Sequence, residues 1–193
     1  FAANQTFDAD TLEIYDQKMI TLGTPIHEKR KEFLAEFTPI FEQHYQSISK
    51  SEEQVTLAYE SSLLNASFAE LLKEQLPKDR MAQFSTVGVH KEDLFFSISG
   101  QPIKKFGSQG QQKSFLIALK LAQFDFIKKI AGVPPIVLLD DVFDKLDQNR
   151  VSLIMQLVEE NHFGQIFLSD THEDRTMEAL KTTQLSYKVF NLS

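Results

Sequence analysis

The amino-acid sequence predicts an α/β protein: a mainly helical first portion, then a parallel sheet with flanking helices and a β-hairpin. Three observations predict it. Apolar residues including Leu12, Tyr15, Met19, Leu22, Ile26, Phe33, Phe37, Phe41 and Tyr45 recur at spacings of three, four or seven, the period of a helix. Residues 93–99 (DLFFSIS) and 102–106 read as two strands joined by Gly100-Gln101, a hairpin. Residues 136–139 (IVLL) and 166–168 are short apolar runs on either side of a helical pattern, a βαβ unit with a right-handed crossover.

Each element has a local reason. Gly23-Thr24-Pro25 interrupts the first helical pattern, which predicts one kinked helix or two. Residues 54–60 (QVTLAYE) alternate like a strand, and residues 66–76 read as a helix that Pro77 stops. A further helix spans about residues 111–130, closed by Gly132 and Pro134-Pro135. The run 136–139 is apolar throughout, as in strands buried on both faces. Asp147 is placed to cap the next helix, through Val151, Ile154, Leu157 and Val158 to near Gly164. There is no repeat or low-complexity segment. The division expected is 1–82, helical, and 83–193, sheet-bearing.

Composition narrows the class. A chain of 193 residues with 42% hydrophobic content can bury a core. Zero cysteines exclude disulfides and thiolate metal sites and fit a reducing compartment. No apolar run approaches the ~20 residues that span a bilayer, and no secretory pattern opens the chain, so the expectation is a cytoplasmic protein without membrane contact. A net charge of −7 argues against a wholly basic nucleic-acid wrap. Lys104, Lys105, Lys113, Lys128 and Lys129 offer a local basic patch, although such runs are usually solvated faces.

Three stretches carry chemistry. Residues 137–141 (VLLDD) end an apolar strand in Asp140 and Asp141, at the edge where open α/β sheets bind ligands. This is the Walker B arrangement, in which the first acid holds Mg²⁺ and the second polarises a water for attack on phosphate; an acidic turn after a core strand has the same local pattern. Ser108, Gln109, Gly110, Gln111 and Gln112 start a helix, where backbone N–H groups and the dipole favour an anion and glycine leaves clearance; a polar capped loop is the plainer reading. After the acidic pair come Asp144 and Asp147 (DKLD), and after the next strand His172 (SDTH), a candidate γ-phosphate sensor that would otherwise be a surface histidine.

In order and spacing these stretches resemble the second half of an ABC-type ATPase head: SQGQQ the signature motif, VLLDD Walker B, DKLD the D-loop and DTH the switch region. Within that superfamily they most resemble the RecF family. Residues 86–94 (TVGVHKEDL) are similar to its threonine, glycine, H-R-D-D-L pattern, with Val89 for proline and Lys91 and Glu92 for arginine and aspartate. A lysine there keeps the charge but not a bidentate guanidinium contact. The resemblance covers about residues 79–175; the helical portion fits the family's helical lobe loosely. None of the seven glycines is followed by lysine, so the chain holds no P-loop. With a first residue of Phe1 rather than Met, it reads as the C-terminal part of a longer protein.

The resemblance implies a DNA repair and replication protein whose intact form is an ATPase and an ATP-dependent DNA clamp. In it, Ser108, Gln109, Gly110 and Gln111 of one subunit cover ATP held by another, giving an ATP-dependent homodimer. Asp140 holds Mg²⁺, Asp141 and His172 are catalytic, and Asp144 and Asp147 of the D-loop couple the two sites. It also implies binding of gapped or junction DNA, both single- and double-stranded, cooperation with RecO and RecR in loading RecA, and a part in the SOS response; this chain alone would be inactive. Two alternatives are a head of the SMC or RecN type and a non-catalytic protein-interaction scaffold.

Overall fold

A computed structural model describes residues 8–49, 53–140, 143, 146–160, 163–170, 173–181 and 183–190. Contacts divide the chain into two compact units, residues 1–36 with 57–95 and residues 37–56 with 96–193. The elements run α1 (Ala9–Ser49), β1 (Val55–Glu60), α2 (Phe68–Ala82), β2 (Asp93–Ile98), β3 (Gln101–Pro102), α3 (Ile103–Phe106), α4 (Gln109–Ala131), β4 (Ile136–Asp140), α5 (Gln148–Glu160), β5 (Gln165–Ser169) and α6 (Glu173–Lys181). The mixed helix-and-sheet class follows the expectation. No helix among the described residues is long and apolar enough to cross a membrane.

The first unit is held by a ring between two glycines. Ser67 and Glu70 form a capping box that starts α2. Next to it Phe68 is buried with Leu71, Leu72 and Val87, packed by Met19, Ile20 and Leu63. A Cβ on Gly23 would come within 2.6 Å of Phe68 Cε1, and one on Gly88, whose φ is +120°, within 2.7 Å of its Cζ. Gly23 therefore makes room for a ring rather than ending a helix. Accordingly α1 is a single helix of 41 residues that passes through Pro25, capped at its start by Asp8, whose Oδ1 accepts from the N–H of Asp10. Buried Gly23 and His27 hold the helix on both sides of the proline. Pro77 likewise lies inside α2 instead of stopping it. Beyond it the buried carboxylate of Asp79 accepts from Thr86 N at 2.9 Å and Thr86 Oγ1 at 2.6 Å, which anchors the last turn.

In the second unit the aromatic core forms around Phe115 of α4, with ring centroids of Phe41, Phe96 and Tyr45 at 4.6, 5.6 and 6.1 Å. His44 Nε2 meets Asp125 Oδ2 at 2.7 Å across the same helices. The antiparallel hairpin pairs Ser97 with Pro102 and Ile98 with Gln101. Its turn is Ser99-Gly100, with φ of +48° and +75°, one residue earlier than expected. Strand β3 is two residues long, because Pro102 has no N–H to extend a ladder, and residues 103–106 wind into a helical turn. Strands β4 and β5 pair in parallel, Asp140 against Ser169. Their burial corrects the expectation of a strand covered on both faces: Val137 and Leu139 are buried, whereas Ile136 and Leu138 are 61% and 69% exposed.

Candidate functional site

The SQGQQ stretch is a preorganised helix start. Gly107 packs so closely that a Cβ would meet the Ile103 carbonyl at 2.7 Å, and Gln112 Nε2 donates to the Gly107 carbonyl at 2.8 Å. Ser108 is the N-cap of α4. Its Oγ accepts from the Gln111 N–H at 3.2 Å, and its own N–H donates to Gln111 Oε1 at 2.7 Å, a reciprocal capping box. Ser108 and Gln109 are exposed. Since Ser108 Oγ serves the cap as an acceptor, its hydroxyl proton is left to donate outward. The N–H groups of Gln109 and Gly110 stand at the positive end of a 23-residue helix. Chemically this end can receive an anion.

At the sheet edge Asp140 ends β4, exposed, and Ser169 at the end of β5 donates its hydroxyl to Asp140 Oδ1. The parallel register brings these two side chains together. Asp140 has a second carboxylate oxygen, and a carboxylate with a hydroxyl beside it is the kind of sparse, hard oxygen set that Mg²⁺ takes together with phosphates and waters. The residues present fit that ion. Asp147 caps α5: its Oδ1 accepts from the Arg150 N–H at 2.9 Å, and Arg150 Nε lies 3.6 Å from its Oδ2. Asp141, Asp144 and His172 lie outside the described residues. Contacts tie Ser108 to its own helix and Asp140 to β5, so each stretch is locally built.

Two polar centres escaped the sequence reading. Glu53 in the second unit accepts from the Tyr45 hydroxyl at 2.8 Å through Oε2 and from Gln111 Nε2 at 2.8 Å through Oε1. Tyr45 is fully buried; its burial and the bond to Glu53 push the phenol pKa up. No local pattern announces Glu53, the second of two adjacent acids in a short connection. Glu92, in the first unit, was named only as the residue that stands for aspartate in the H-R-D-D-L pattern, with no partner foreseen. Its side chain is 2% exposed and meets His27 Nδ1 at 2.7 Å, Arg30 at 2.5 Å and the Ser61 hydroxyl at 2.8 Å. Burial alone would raise its pKa, but hydrogen bonds from Tyr59, His27, Ser61 and Arg30 hold it below the usual glutamate value. Burial and the neighbouring Glu92 push the Tyr59 phenol up to about 12. Arg30 also donates to the Val89 carbonyl at 2.7 Å, so this centre pins the loop that carries TVGVHKEDL.

The helical portion, the antiparallel hairpin and the parallel strand pair together have the fold of part of an ATPase head. No family model matches the chain. Solved structures of the recombination mediator protein RecF in the RecFOR pathway match it closely. The RecF-ATP form superposes with a TM-score of 0.72 and 26% identity over 89% of this chain and 48% of that one; the RecF-ATPrS form does so with 0.69 and 28% over 87% and 47%. Among curated proteins, the DNA replication and repair protein RecF of Flavobacterium johnsoniae is 57% identical over 192 residues, covering 100% of this chain and 54% of that protein. RecF of Phocaeicola vulgatus is 46% identical over 189 residues, 97% of this chain and 51% of that protein. The chain is homologous to the C-terminal half of RecF. It spans about half the length of the curated relatives it matches.

Proposed function

We propose that this chain is the C-terminal half of an ATP-dependent DNA repair and replication protein of the RecF kind, acting in the cytoplasm. The carrying observation is homology over the whole chain, with the SQGQQ cap and Asp140 each built as a phosphate-facing group and a metal-facing group need. Homology to RecF throughout also weighs against the SMC, RecN and scaffold alternatives. In this reading residues 1–82 belong to a helical lobe and residues 83–193 complete the ATPase lobe. ATP bound to the N-terminal half of one subunit is covered by Ser108, Gln109, Gly110 and Gln111 of a second, so that nucleotide joins two copies.

The chain's own residues then act as follows. The Ser108 hydroxyl and the N–H groups of Gln109 and Gly110 donate to the γ-phosphate, and one hydrogen of the Gln111 amide remains available besides the one held by Glu53. Asp140, oriented by Ser169, holds Mg²⁺, which when bound neutralises phosphate charge. Asp141 orients and deprotonates the attacking water, His172 donates to the γ-phosphate, and Asp144 and Asp147 couple the two sites. DNA with gaps or junctions, RecO and RecR as partners, RecA loading and the SOS response belong to the same proposal. In the full-length protein Asp141→Asn should lower ATP turnover by roughly two to four orders of magnitude while leaving ATP binding intact. Steady-state turnover and nucleotide-binding titrations check it; turnover within a factor of a few of the parent protein sinks the assignment.

A further inference from the structure

The Gln111 amide is used at both ends inside its own chain. Its Oε1 accepts from the Ser108 N–H at 2.7 Å and its Nε2 donates to Glu53 Oε1 at 2.8 Å. The other oxygen of Glu53 accepts from Tyr45, which is fully buried and packs against Phe115. A continuous run of hydrogen bonds therefore leads from the aromatic core of the second unit to the exposed helix start. The chemistry is unexpected at first sight. A carboxylate close to a loop shaped for an anion opposes the anion's charge, so Glu53 contributes there through what it holds. Arg150 is near enough to Tyr45 to act on its ionisation, and the same arginine pairs with Asp147 at the start of α5. Ser49, Asp147, Asn149 and Arg150 line a groove of about 580 Å³ there.

We propose that Glu53 is a positioning residue for nucleotide capture between two copies of the chain: anchored by Tyr45, it holds Gln111 and so fixes the Ser108 cap in the geometry that receives the phosphate. This rests on the reading given under Proposed function. The role needs an acceptor at position 53 rather than a charge. Without one the Gln111 amide is free to rotate away, the bond from its Oε1 to the Ser108 N–H is lost, and the loop must be ordered when nucleotide arrives.

The test uses the full-length protein, with ATP and a non-hydrolysable ATP analogue as probes. It compares Glu53→Ala, Glu53→Gln and Tyr45→Phe with the parent. Nucleotide binding to the monomer and nucleotide-dependent dimerisation are measured separately, by titration and by light scattering. Glu53→Ala should raise the protein concentration at half-dimerisation by about tenfold or more, the size expected for lost bonds to a charged group, and leave monomer binding unchanged. Glu53→Gln keeps an acceptor oxygen and should stay within about threefold of the parent. Tyr45→Phe, which removes one hydroxyl and keeps the ring, should shift dimerisation in the same direction by less, and it carries the test should Glu53→Ala not fold. Dimerisation by Glu53→Ala equal to the parent overturns the proposal, as does a loss in Glu53→Gln as large as in Glu53→Ala, which would make the charge itself the requirement. A parent protein that does not dimerise with nucleotide overturns the reading beneath it as well.

Discussion

Glu92 shows how one side chain can organise a whole unit. Four side chains converge on it from α1, β1 and the turn after β1, and two of them are cationic or can become so. Because its folded-state pKa lies below the usual 4.5, its stabilising effect is present above that value and is lost as the pH falls through the lower folded value. Protein with Glu92→Gln should therefore be less stable at neutral pH by about 1.5–3 kcal/mol, the worth of hydrogen bonds to a charged group. The difference should shrink as the pH drops below about 4; urea melts at several pH values measure it, and a gap that persists unchanged into acid would refute the role. Phe68 teaches a related lesson. The sequence reading takes Gly23 as punctuation, but the residue faces a ring that comes from 45 positions further along, and no local pattern reports such an approach.

Among the elements, the helix that runs past Pro77 is the main departure from expectation, while α1 takes the one-helix course of the two that Gly23-Thr24-Pro25 left open. Each proline removes one N–H and crowds the carbonyl four residues earlier, at roughly 3 kcal/mol in a helix interior. α1 tolerates Pro25 because packing grips it on both sides, and α2 tolerates Pro77 because Asp79 and Thr86 fasten the turn beyond it. Pro77 is exposed, so Pro77→Ala should raise stability by about 1–3 kcal/mol. A thermal melt reads this directly, and an unchanged or lower midpoint would mean that α2 draws on the proline. By contrast, the start of α5 at Asp147 was legible from sequence alone, whereas α4 begins at Gln109, two residues before the expected start, because Ser108 caps it. A serine three residues before a glutamine, and an aspartate before an apolar period, are caps whose partners lie within a few positions. The hairpin was legible too, but not its register, since that depended on Ser99 adopting a left-handed conformation.

At the scale of the molecule, the open face of the strand pair is the telling feature. Ile136, Leu138 and Phe167 are 61%, 69% and 51% exposed on one face, whereas parallel strands are ordinarily covered on both. An apolar face of this kind fits a cover supplied by the N-terminal half of the proposed intact protein. The purified chain should then show no ATP turnover and should bind an environment-sensitive apolar dye, with the dye signal falling when the N-terminal half is co-expressed. Robust turnover by the chain alone would contradict the half-site reading. The sequence by itself determined most of the elements, the Asp147 helix cap and the acidic strand end, because these rest on periodicity and on hydrogen bonds a few residues long. Only the tertiary structure decided that the helices continue through Pro25 and Pro77, that Glu92 is a buried hub and that Glu53 holds the Gln111 cap. Their partners lie as far as 65 and 58 positions away, and such pairings are selected by packing of the whole unit rather than by neighbouring residues.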